Sequence, residues 1–166
     1  PANASGQMTE DTIIVNYVYK LKDTSVVVKH INTAGEEISP EETITGKVFE
    51  TYNTSPKTIY GYQLTTTPSN SSGEMTENTI TVIYVYELKS TKVIVNYINQ
   101  ASDKIASSET LIGKVFDDYA SAAKDIYGYQ LVRTPDNASG KMSEETIIVN
   151  YIYKLKDAKI IVNYIN

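Results

Sequence analysis

The sequence contains no Cys and no Trp, one His and two Phe. Without Cys there is no disulfide scaffold, no thiolate metal site and no thiol nucleophile. That absence leaves the compartment open. No run of about 18 apolar residues occurs, so no segment reads as a membrane span. No signal peptide is recognisable, and the chain begins in mid-pattern, as expected for part of something longer. Positive charge is also scarce: 15 Lys and Arg lie among 20 Asp and Glu, for a formal net charge of −5. A phosphate backbone requires a basic face. Neither nucleic acid nor an anionic membrane surface is an expected partner.

What the chain has in quantity is Tyr, 14 of them, in stretches rich in Val, Ile and Thr. These residues favour a pleated, half-buried surface. The chain also repeats itself. Thr43 to Phe49 recurs as Thr110 to Phe116, and Ile59 to Leu64 as Ile126 to Leu131, each displaced by 110 − 43 = 67 positions. Residues 24–90 align with 91–157 without a gap, with 35 identities in the 67 positions. Pro1 to Asp23 match Pro68 to Ser90, and Asp157 to Asn166 match Ser90 to Asn99. Self-similarity at such a period marks a tandem array. The expected organisation is the tail of a preceding repeat (1–23), two complete repeats (24–90 and 91–157) and the first strand of a following one (158–166).

All the Tyr residues fall at repeat-equivalent positions, with His30 standing where the later copies have Tyr97 and Tyr164. Tyr is thus part of the architecture, and His30 is an exchangeable site.

Period-two alternation reads Val93 to Asn99 as a strand, with Val93, Val95 and Tyr97 on one face. Ala101 to Lys104 is a turn, as is its counterpart Thr33 to Glu36. Glu109 to Val115 is a second strand, with Gly113 marking a bulge or close backbone approach. Asp117 to Ile126 reads as a helix: two Asp at its start suit the positive helix N-terminus, and Tyr119, Ala122, Ala123 and Ile126 share a face. Pro56 shortens the equivalent helix in the first copy. Tyr127 to Arg133 is a third strand and Thr146 to Tyr153 a fourth, with Ile147, Val149, Tyr151 and Tyr153 on one side. The order β-β-α-β-β predicts an α+β, mostly β class: tandem β-grasp (ubiquitin-like) repeats, each a small mixed sheet with one short helix, placed end to end as an elongated rod. The link from Glu87 to Lys92 has no Gly or Pro and predicts a stiff joint.

No catalytic constellation recurs in both copies. A Ser-His-acid set fails because His30 has Tyr as its counterpart. Glycoside hydrolysis needs two carboxylates about 5–10 Å apart across a cleft. Of the plausible acids only Glu42/Glu109 and Glu77/Glu144 recur, and solvated loop charges explain the rest. Asp103, Asp136 and Asn137 are too sparse for the six to eight oxygens around Ca²⁺. The Asn-x-Ser triplets at Asn3, Asn70 and Asn137 each precede a Gly and are read as hairpin turns. Neither cofactor nor metal is expected, and the chain is not expected to be an enzyme.

The ordered set Val-x-Val-x-Tyr (Val93 to Tyr97), Thr-x-x-Gly-Lys-Val (Thr110 to Val115), Ile-Tyr-Gly-Tyr-x-Leu (Ile126 to Leu131), Asn-x-Ser-Gly-x-Met (Asn137 to Met142) and Ile-x-Val-x-Tyr-x-Tyr (Ile147 to Tyr153) resembles the MucBP (mucin-binding protein) repeat. The resemblance covers essentially the whole chain, with His30 for Tyr and Ser102 for the usual turn Gly as departures. It implies a β-grasp-like fold and a place on the bacterial cell surface, attached to the wall through regions outside this stretch. It also implies adhesion to mucin glycoproteins or other host glycans. A Tyr ring stacks on the apolar face of a sugar while its hydroxyl bonds a sugar hydroxyl. Tyr60, Tyr62, Tyr127 and Tyr129, flanking the turn glycines, are the expected glycan-binding residues. Since the chain is acidic, stacking and multivalency must carry such binding. Two readings stand side by side: a weak, multivalent adhesin repeat, or a non-binding stalk that projects another domain.

Overall fold

A computed structural model describes residues 1–165. Two units of the same design follow one another. The first comprises β1 (Asp23–Asn32), β2 (Glu37–Lys47), β3 (Thr51–Asn53), β4 (Tyr62–Thr66), β5 (Ser72–Glu74) and β6 (Ile80–Leu88). The second comprises β7 (Ser90–Asn99), β8 (Lys104–Lys114), β9 (Asp118–Ala120), β10 (Tyr129–Arg133), β11 (Ser139–Lys141) and β12 (Ile147–Leu155). Each unit has a four-stranded sheet, β2-β1-β6-β4 or β8-β7-β12-β10, and a separate two-stranded ribbon, β3-β5 or β9-β11. The central pair of each sheet is parallel, with Val26 opposite Ile80 and Val93 opposite Ile147. The flanking pairs are antiparallel.

The expected alternation holds. Val93, Val95 and Tyr97 on β7 and Val149, Tyr151 and Tyr153 on β12 are all buried, and Tyr119 and Met142 join them from the ribbon. The first unit uses Val26, Val28, Val82, Tyr84, Tyr86, Tyr52 and Met75 in the same way, with His30 buried among them. Each buried Tyr removes roughly 150–250 Å² from water, which offsets the small size of a unit that is marginal by area alone. Gly113 is a close approach: a Cβ there would lie 2.7 Å from Met142 Sδ.

The α+β class and its helix are corrected. No helix occurs among the described residues, and the chain is all-β. Where Asp117 to Ile126 was expected to be helical, Asp118–Ala120 is strand β9, and the chain after Ser121 runs on without helical structure. Tyr hydroxyls set this conformation. The Lys124 N–H donates to Tyr153 Oη (2.9 Å), and that hydroxyl donates to the Lys124 carbonyl (2.9 Å). Tyr97 Oη donates to the Ala122 carbonyl (3.2 Å). The peptide groups a helix would pair internally are thus paired to the sheet, and such groups must be paired somewhere when buried. Tyr86 treats Lys57 identically, at 2.9 and 3.0 Å. The β-grasp expectation, which rested on a helix crossing the sheet face, falls with the helix; the mostly β part stands.

Residues 1–22 and 156–165 form no strand. The stretch 158–165, expected to be the first strand of a following repeat, is among these; Asn166 lies outside the described residues.

Candidate functional site at the joint between units

One of the two expected Tyr pairs lies where the units meet. Tyr60 and Gly61 form a turn into β4, closed by the Tyr62 N–H donating to the Ile59 carbonyl at 3.1 Å. Gly61 sits at φ 82°, a conformation that disfavours any side chain. Its carbonyl accepts from the N–H of Lys89 at 2.9 Å. Lys89 is the single residue between β6 and β7. The Lys89 carbonyl in turn accepts from the N–H of Val115 at 3.0 Å. The peptide groups of one linker residue therefore bond to both units.

The second unit presents Phe116 to this turn. Phe116 has φ 75°, unusual for a bulky residue. The turn holds it there: the Phe116 N–H donates to the Met142 carbonyl at 2.9 Å. Its ring lies 5.9 Å from that of Tyr60 and 6.3 Å from that of Tyr62, tilted by 60° and 52°. Tilted aromatic pairs at such separations contribute about 0.5–1.5 kcal/mol each beyond area burial.

Glu144 closes the polar side. Its Oε1 accepts from the Gly61 N–H at 2.7 Å and from Lys89 Nζ at 2.8 Å. Its own N–H reaches Tyr60 Oη at 3.5 Å. The Lys89 ammonium first, and the Gly61 N–H second, hold the Glu144 carboxyl below its ordinary range.

The four expected sugar-binding tyrosines are thus not one site. Tyr60 and Tyr62 meet Phe116 at the joint, while Tyr127 and Tyr129 lie on the second unit. Tyr62 and Tyr129 also pack against their own cores. Tyr60 is 58% exposed, whereas its counterpart Tyr127 is 99% exposed. Tyr129 lines an open cleft of about 450 Å³ with Asn99, Gln100 and Tyr153. The other recurring acids are structural: Glu42 pairs with Lys57 at 2.7 Å and Glu109 with Lys124 at 2.8 Å. Among the described residues, no group of three or more His, Asp or Glu is placed to hold a metal ion. Lys89, Phe116 and Glu144 were not among the expected site residues. Their signal was present, since Lys22, Phe49 and Glu77 repeat them 67 positions earlier, but repetition alone does not reveal a contact between copies.

The chain is similar to several known proteins. Internalin J of Listeria monocytogenes serotype 4b (strain F2365) is 40% identical over 159 residues, covering 92% of this chain and 17% of that protein. Internalin I of Listeria monocytogenes serovar 1/2a (strain ATCC BAA-679 / EGD-e) is 29% identical over 150 residues, covering 87% of this chain and 8% of that protein. The chain therefore spans less than a fifth of these relatives. Among solved structures, the type 2 repeat of the mucus binding protein MUB from Lactobacillus reuteri aligns with 80% of this chain and 100% of its own, at 14% identity and a TM-score of 0.31. The MucBP domain profile matches residues 1–20, 25–87 and 92–154. Matched over most of its length in three successive segments, the chain belongs to the MucBP domain family.

Proposed function

We propose that this chain is a non-catalytic spacer segment of an adhesin-type bacterial surface protein, in which successive MucBP units are locked to one another and so hold a more distant binding region away from the cell. The observation that carries this reading is the docking of Tyr60-Gly61-Tyr62 against Phe116 and Glu144 across a one-residue link. A flexible tether would need none of these contacts. In this reading the repeats run over 24–90 and 91–157, with 1–23 and 158–166 belonging to neighbouring copies. The segment lies outside the cell, and anchoring to the wall falls to regions beyond it. Solution scattering tests the joint. The native chain should give one narrow distribution of distances between units, and Gly61→Val should broaden it. Equal curves for the two would remove the spacer reading.

A second reading, weak and multivalent binding of mucin glycans, is favoured by the exposed Tyr127 ring and by the cleft beside Tyr129. Here Tyr127 and Tyr129 stack on sugar, and Tyr60 and Tyr62 contribute the faces that Phe116 leaves open. Titration against immobilised mucin and against deglycosylated mucin tests it. A signal lost on deglycosylation and reduced by Tyr127→Ala supports this reading, and equal or absent signals remove it.

A further inference from the structure

The half of the joint that Phe116 supplies exists a second time, at the start of the first unit. Phe49 occupies the equivalent turn at the same φ of 75°, with its N–H donating to the Met75 carbonyl at 2.8 Å. The linker residue is also in place: the Lys22 carbonyl accepts from the Val48 N–H at 3.0 Å, as that of Lys89 does from Val115. Lys22 Nζ bonds Glu77 Oε1 at 2.9 Å, matching Lys89 and Glu144. Around these residues is a cleft of about 370 Å³ lined by Leu21, Val48, Phe49, Met75 and Glu77 among others.

The two copies differ in what covers them. Phe49 is 69% exposed and Phe116 is 43% exposed. The Lys22 and Glu77 side chains are 68% and 64% exposed, against 37% and 29% for Lys89 and Glu144. These are the same residue types in the same local structure, so the difference measures what the Tyr60-Gly61-Tyr62 turn covers. A Phe held in the left-handed region is strained, and leaving its ring in water adds nothing that offsets this. At Phe116 the strain aims the ring at a partner. The same strain is kept at Phe49.

We propose that the Phe49 cleft is an interaction site whose occupant is the Tyr-Gly-Tyr turn of another copy of this repeat, positioned immediately before it in the same chain. The turn glycine would donate its N–H to Glu77, and its two Tyr rings would flank Phe49, as at the internal joint. The occupant has to be a covalently preceding copy and not a separate molecule. Tyr127-Gly128-Tyr129 of a second molecule has Lys156 bonded to the Gly128 carbonyl at 2.8 Å, so Lys156 would compete with Lys22 for one place. This inference rests on the spacer reading and assigns the site through which spacing would propagate.

The test lengthens the chain. In one version residues 24–67 are joined before Pro1, which completes in register the copy that 1–23 ends. In a second version residues 24–90 are joined directly before Thr24, in the register of the Ser90–Thr91 junction. In both, the added Phe is replaced by Leu, so that ring fluorination reports only Phe49 and Phe116. The readout is the relaxation of each ring caused by a dissolved paramagnet. The expected result is that Phe49 relaxation falls to that of Phe116 in the lengthened chains, and that Gly→Val in the added Tyr-Gly-Tyr turn returns it to its value in the 166-residue chain. If Phe49 stays as open in both lengthened chains as in the original, the proposal is overturned. The spacer reading is judged separately, by Gly61→Val in the original chain.

Discussion

Gly61 and Phe116 belong to different units, yet a Cβ on Gly61 would come within 2.6 Å of Phe116 Cε2. Gly128, at the equivalent turn, has φ 78° where Gly61 has 82°, and open space where its Cβ would be. The two glycines therefore separate a backbone effect from a contact effect. Gly128→Ala should cost only the left-handed penalty, about 1–2 kcal/mol. Gly61→Ala should cost that and also push Phe116 off the turn. Urea unfolding of both variants, together with scattering, checks this. The expected outcome is similar loss within the unit carrying the change, with undocking only for Gly61→Ala.

The joint should depend on acidity through Glu144. Its carboxyl is held below the ordinary value of 4.5 by Lys89 and by the Gly61 N–H. A depressed carboxyl stabilises the folded contact above its ordinary value, and that stabilisation is lost as pH falls through the depressed one. Docking should be intact at neutral pH and loosen below about pH 4.5. Scattering from pH 7 downward is the check, with Glu144→Gln as the variant that flattens the response.

His30 should make the first unit the more acid-sensitive one. Its ring is fully buried and stacks on Tyr84 at 5.4 Å, as Tyr97 stacks on Tyr151 at 5.7 Å. Nδ1 meets Tyr86 Oη at 3.1 Å, and Nε2 has no partner. Burial first, and Lys57 second, lower its pKa from 6.5, with Glu42 opposing. The unfolded state thus binds the proton more readily, so stability is full above about pH 6.5 and declines as pH falls through the lowered value. His30→Tyr should remove this decline and stabilise the unit by on the order of 1 kcal/mol. Thermal unfolding at pH 7.5 and pH 5.5 is the measurement.

Tyr153→Phe should destabilise the second unit by about 1–3 kcal/mol. The substitution keeps the ring but leaves the Lys124 N–H and carbonyl without their partner. Tyr86→Phe should cost the first unit at least as much, since it orphans the Lys57 peptide groups and also leaves the buried His30 Nδ1 without its partner. A loss below about 0.5 kcal/mol for both in urea titrations would show that water replaces these hydroxyls without penalty.

Ser102 has φ 68° in the turn where its counterpart Gly35 has φ 84°. Ser102→Gly should therefore stabilise the second unit by up to about 1 kcal/mol, since only Gly takes this conformation without strain. Calorimetry on the single variant checks it.

The sheets were legible because their signal is local. Val26, Val28 and His30, or Val93, Val95 and Tyr97, alternate within a few residues and point to one face. The segment 117–126 misled because Tyr119, Ala122, Ala123 and Ile126 have helical spacing, while its conformation is fixed from β12 by Tyr153, some thirty positions away. The joint was half legible. The Tyr-Gly-Tyr turn stood out in each copy, but its partners Phe116 and Glu144 lie in the next copy, and repeated residues look the same whether they serve a core, a ligand or a neighbour.

The parallel central pair has one more consequence. In each unit the chain enters on one strand of this pair and leaves on the other, with seven register pairs from Val26↔Ile80 to Asn32↔Tyr86 in the first. Tension between the two ends of a unit pulls these strands lengthwise past each other. The hydrogen bonds are then loaded together, in shear, and none can be peeled open before the rest. In the proposed role as a spacer, that arrangement would bear a lengthwise load under which a hairpin opened from its end would unzip.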